Sequence, residues 1–122
     1  MGETQSITVN YTVTDSQAAT GTNSFVITVT GVNDDPVATF NTQQNVNEGD
    51  GILNGQLTSS DVDNGETANF ADTTGGIPGL VIDPAGVFSF DPSDAAYDGL
   101  ALGDTQTETV TYSVTDAQGA VA

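Results

Sequence analysis

Two runs near the start of the chain alternate apolar and polar residues with period two. Ile7, Val9, Tyr11 and Val13 occupy alternate positions in the first, and Phe25, Ile27 and Val29 in the second. That period is the signature of strands with one buried face. Further along, the pattern predicts strands near 37–40, 52–58, 68–71, 79–82, 87–90 and 107–115, with Asp83-Pro-Ala-Gly86 turning one strand into the next. The inward candidates are Leu53, Leu57, Leu80, Ile82, Phe88, Phe90, Val110, Tyr112 and Val114. No helical period competes, and 14 Gly with abundant Thr favour short strands and turns. The expected class is all-β.

The chain also repeats itself. Gly2-Glu-Thr-Gln-Ser-Ile-Thr-Val-Asn-Tyr-Thr-Val-Thr-Asp15 returns as Gly103-Asp-Thr-Gln-Thr-Glu-Thr-Val-Thr-Tyr-Ser-Val-Thr-Asp116, with nine of fourteen positions identical. A spacing of about a hundred residues is the size of an immunoglobulin-like sandwich. Residues 1–30 then read as the last strands of one repeat, 31–36 as a linker, and 37–122 as the next repeat. A copy of Phe25–Thr30 would fall at 126–131, so the second repeat lacks its final strand. Either the N-terminal strands fill that gap within the chain, or the open edge pairs with another copy in a head-to-tail strand exchange.

Charge narrows the function. Seventeen Asp and Glu stand against no Lys, Arg or His, a formal net charge of −17. Nucleic acid is not an expected partner, because phosphate binding needs cationic side chains. Anionic membrane surfaces are disfavoured for the same reason, and no apolar stretch is long enough to insert into a bilayer. The N-terminus has neither a basic region nor an apolar run, so a signal for export would lie elsewhere in a longer protein. Without His, Cys, Lys or Arg, catalysis has no imidazole base, thiolate, Schiff-base amine or cationic clamp. Only paired carboxylates remain, and Asp91, Asp94 and Asp98 read better as a solvated turn than as a glycosidase pair. An enzyme is not expected.

Carboxylates are hard oxygen ligands, and Ca²⁺ takes six to eight oxygens. Asn33, Asp34 and Asp35 lie in the linker; Asp61, Asp63, Asn64 and Glu66 share one loop; Asp116 ends a late strand. In Asp61-Val-Asp63 alternate spacing lets two carboxylates converge on one ion. The segment lacks the twelfth-position Glu and flanking helices of a helix–loop–helix calcium site, so the ligands would come from separate loops. The same segment also reads as a polar turn with solvated charges.

These motifs resemble a known family. Val29-Thr-Gly-Val-Asn-Asp-Asp-Pro-Val37 looks like the calcium-binding linker of cadherin repeats. Ser60-Asp-Val-Asp-Asn-Gly65 is similar to their Asp-x-Asp-x-Gly loop, and Ser113-Val-Thr-Asp116 to their Ala-x-Asp strand end. Asn47-Glu48-Gly49 and Asp83-Pro-Ala-Gly-Val-Phe88 match two further segments in order. Residues 28–37 and Leu100–Asp116 most resemble the bacterial cadherin-like and VCBS-type tandem repeats of large surface adhesins, including RTX adhesins. The resemblance implies an immunoglobulin- or cadherin-like Greek-key β-sandwich that serves as a secreted or cell-surface extender, with neighbouring repeats as partners and Ca²⁺ at each junction. Position by position it implies Asn33, Asp34, Asp35, Asp61, Asp63 and Asp116 as ligands of one junction, and Glu48 and Asp104 as ligands of the next. Gly31 in place of the first linker Asp, and Pro36 directly after Asp35, point to one or two ions instead of three. A carbohydrate- or surface-binding module, with Tyr97 and Phe70 as its only candidate platforms, and an accessory domain of a secreted hydrolase are the alternatives.

Overall fold

The computed structural model describes residues 2–63 and 65–122. It is all-β, with small antiparallel sheets and no helix among the described residues. The chain divides into two compact units, residues 1–33 and 34–122.

The first unit is a hairpin of β1 (Thr4–Thr14) and β2 (Thr20–Thr30), paired at all eleven positions with Ile7 opposite Ile27 and Val9 opposite Phe25. Its turn is closed by Asp15, whose Oδ1 accepts the N–H groups of Gln17 and Ala19, both at 2.9 Å. Ala18 sits there at φ +66°. The predicted alternation is realised: odd positions carry Ile7, Val9, Tyr11, Val13, Phe25, Ile27 and Val29 on one face. Within this unit that face has no second layer, so all but Val9 stay exposed.

In the second unit, β3 (Val37–Ala38) pairs with β5 (Ser59–Ser60). A three-stranded sheet runs in the order β4 (Leu53–Gln56), β8 (Val87–Phe90), β7 (Leu80–Ile82), and β6 (Asn69–Asp72) pairs with β9 (Tyr112–Thr115). Phe88 from the three-stranded sheet meets Phe70 and Val114 from the β6–β9 pair, and Leu57 completes the core. Phe40, Leu53, Ile82 and Tyr112 pack around it, and the Phe40 and Phe88 rings lie 5.6 Å apart. Phe88 has room because Gly55 faces it from β4, where a Cβ would overlap the ring. The Asp83-Pro-Ala-Gly86 turn joins β7 to β8 as expected, with Asp83 Oδ1 accepting the Val87 N–H and Gly86 at φ +84°. Tyr97 and Ile77 are also buried, and the Tyr97 hydroxyl donates to the Pro78 carbonyl at 2.9 Å.

One predicted strand is corrected. Of residues 107–115 only Tyr112–Thr115 form β9, and Val110, expected inward, is exposed. The cause is partner supply. The regular ladder of β6 ends at Asp72, Thr111 is held irregularly by Thr73 and the Thr74 hydroxyl, and among the described residues Val121 and Ala122 stand on the other edge of β9. A strand needs its ladder bonds satisfied, and alternation does not provide them. The short strand β5 was not foreseen.

Two outcomes follow. Gly55→Ala forces a methyl against the confined Phe88 ring and lowers unfolding free energy by about 1–3 kcal/mol in urea titration. Burial pushes the Tyr97 phenol above its ordinary pKa, and the Glu108 and Asp94 carboxylates add to the shift. The folded state therefore favours the protonated phenol. That contribution is complete below about pH 10 and is lost as pH rises through the raised folded value. Urea midpoints measured below and above that window separate, and Tyr97→Phe removes the separation.

Candidate metal centre

Four acidic side chains of the second unit, Asp61, Asp63, Glu66 and Asp116, come together near Pro36. Pro36 is buried there, and the β3–β5 pairing that follows brings the loop after Ser60 alongside it. Asp61 Oδ1 accepts the Asp63 N–H at 2.9 Å, the local turn that Asp-x-Asp spacing favours. Asp63 Oδ2 accepts the Asp34 N–H at 2.9 Å, tying the incoming chain to this loop. Asp116 follows β9 and is only 7 % exposed; its Oδ1 accepts the N–H groups of Gln118 and Ala120 at 2.9 and 2.8 Å. Glu66 Oε2 accepts the Ala117 N–H at 3.3 Å.

Together these residues border a cleft of about 200 Å³, with Asp61, Asp63, Glu66 and Asp116 in its wall beside Pro36 and Ser59. Asp61 Oδ2 is buried and has no hydrogen-bond partner. A buried carboxylate oxygen without a donor is costly, and this sequence contains no cationic side chain to relieve it. The donor set is all oxygen, which suits a hard cation. Among the described residues, however, no three carboxylates stand close enough to hold an ion as they are.

The structure sorts the eight expected ligands. Asp61, Asp63 and Asp116 line the cleft, and Asp34 reaches it through its backbone N–H. Asp35 is exposed, and Asn33 belongs to the first unit. Glu48 lies in the exposed turn 47–50, and Asp104 Oδ2 caps its own turn by accepting the Ala101 N–H. Neither lines the cleft. Asn64 lies outside the described residues. Glu66 lines the cleft although the resemblance did not single it out; its place in the same loop as Asp61 and Asp63 was the available signal.

Other candidate chemistry is absorbed by the fold. Asp91 Oδ1 accepts the Ser93 N–H and Asp94 Oδ1 the Ala96 N–H, so both shape turns. Phe70 and Tyr97 are buried and offer no stacking surface for a sugar.

Asp116→Ala, which removes the acceptor of two N–H groups at a buried turn, lowers unfolding free energy by about 2–3 kcal/mol in urea, whereas Asp116→Asn, which keeps an oxygen there, loses less. The equivalent Asp15→Ala, at an exposed turn, costs about 1 kcal/mol or less. Comparison with protein-family models, curated proteins and solved structures finds no match to this chain.

Proposed function

We propose that the chain is a calcium-stabilised extender from a tandem-repeat array of a secreted or cell-surface bacterial adhesin, built on an immunoglobulin- or cadherin-like Greek-key sandwich. The observation that carries this reading is the buried, partnerless Asp61 Oδ2 in a cleft walled by Asp63, Glu66 and Asp116. Its position adds support, because the cleft adjoins the point where the linker enters, at Pro36 and the Asp34–Asp63 bond. The internal repeat supports the array.

In this reading Ca²⁺ draws the cleft carboxylates together with backbone carbonyls and water, and stiffens the junction between successive repeats. An ion that binds only the folded form stabilises it by RT ln(1 + [L]/Kd), about 2.7 kcal/mol at a hundredfold excess over Kd. The function is mechanical: a stiff, acidic spacer that holds an adhesive element away from the surface.

Thermal unfolding in chelator, and then in increasing CaCl₂ at matched ionic strength, tests it. The expected result is a saturable rise in midpoint that MgCl₂ does not reproduce and that Asp61→Asn with Asp63→Asn abolishes. Identical melts in chelator and in calcium overturn the assignment.

A further inference from the structure

The β1–β2 hairpin is a spare copy of the element that closes the second unit. Residues 2–15 and 103–116 share nine of fourteen residues, and their turns share one geometry. Asp15 N–H donates to the Ala19 carbonyl at 2.9 Å, and Asp116 N–H to the Ala120 carbonyl at 3.0 Å. Each Asp Oδ1 accepts the N–H groups two and four residues on. Ala18 and Gly119 hold the same position at positive φ.

Their surroundings differ. Val114 is completely buried against Leu57, Phe70 and Phe88, whereas its counterpart Val13 is 64 % exposed. The Tyr112 hydroxyl donates to the Phe40 carbonyl, whereas Tyr11 stands exposed. Conversely, β1 is paired along its whole length with β2, whereas β9 is paired with β6 over four positions and on its other edge meets Val121 and Ala122. Among the described residues, one copy packs in the core and the other is paired with β2 and exposed.

We propose that the β1–β2 hairpin docks its apolar face onto the Leu57–Phe70–Phe88 core of a second copy of this chain, taking the place held there by residues 105–122. Val13 then replaces Val114 and Tyr11 replaces Tyr112, and β1 takes up the β6 ladder in the register of β9. β2 accompanies β1, so Phe25 and Ile27 arrive on the same face as Val9 and Ile7. Exchange of an identical element preserves the contacts it replaces, which is why swapping is a low-cost route to association.

The same chain cannot supply its own hairpin in this register. Asp116 and Pro36 border the same cleft. A hairpin with Asp15 in the place of Asp116 would put Thr30, ten residues along β2, about 33 Å from that end. Residues 31–36 span about 20 Å fully extended. The donor is therefore another molecule, and the contact is head-to-tail. This inference rests on the repeat and the core, independently of the calcium reading.

The chain has no cysteine, so introduced thiols report the register. Ala71 lies opposite Ser113, which places it opposite Thr12 of the docked copy. A mixture of Ala71→Cys and Thr12→Cys chains is expected to oxidise to a covalent heterodimer. Thr8→Cys, about 13 Å further along the strand, is expected not to crosslink. Sedimentation of the unsubstituted chain is expected to show mass rising with concentration, and Val13→Asp, at a position exposed in the free chain, to abolish the rise. A single monomer mass at every concentration, Thr8→Cys crosslinking as readily as Thr12→Cys, or an intramolecular bond in the Thr12→Cys/Ala71→Cys double variant at high dilution would each overturn the proposal.

Discussion

With no Lys, Arg or His in the sequence, the carboxylates have no cationic side chain to pair with, and the backbone N–H becomes their principal strong donor within the chain. The fold is organised around that constraint. Asp15, Asp61, Asp72, Asp91, Asp94 and Asp116 each accept an N–H two residues on. Asp83 reaches four residues on, and Asp50 and Asp104 reach back three. Aspartate is short enough to close such turns on itself. Charge that would otherwise only repel is thereby used to fix the direction of the chain between short strands. Among the described residues, the one carboxylate oxygen both buried and without a hydrogen bond is Asp61 Oδ2, at the cleft beside Pro36.

The turns and the strands they connect were legible in the sequence because both signals are local. Alternation located β1 and β2, and Asp83-Pro-Ala-Gly86 located the β7–β8 turn. What was not legible depended on distant residues. Glu108–Thr111 repeat the hydrophobic-polar spacing of β1 at Val110, yet form no strand: β6 ends at Asp72, and beyond it Thr73 and Thr74 hold Thr111 through a backbone bond and the Thr74 hydroxyl instead of a regular ladder. β5 is two residues long and exists only through β3, twenty-two positions earlier. Tyr97, in a loop without periodicity, is buried because its ring packs 5.5 Å from Phe90 and its hydroxyl reaches Pro78.

The candidate site divides in the same way. Asp61 and Asp63 were legible from their spacing, and Asp116 from its place at the end of an alternating run. Glu66 joins them through Ala117, fifty-one residues away, a contact that no local pattern encodes. Asp34 shows the opposite case. Its carboxylate drew attention in the sequence, but the bond that ties it to Asp63 is made by its backbone, which any residue except proline could supply. Glu48 and Asp104, expected at the next junction, each belong to an exposed turn and do not line this cleft.

The duplicated segment joins fold and charge in one argument. The same fourteen-residue pattern is an eleven-residue strand where a partner runs beside it and a four-residue strand where the partner stops, so its conformation is set by supply of a neighbour more than by its own propensity. The proposed docking would set β1, with β2 beside it, on the β6 ladder, but it would also bring together two molecules of charge −17, and that repulsion opposes it. The repulsion does not grow at the cleft itself. Asp15 would enter as Asp116 leaves, with the same turn, the same pair of N–H donors and the same charge. A cation suited to the cleft of the free chain would therefore suit the docked form as well, because the repeated acid would let the proposed cation binding and strand exchange occur at one end of the unit without competing.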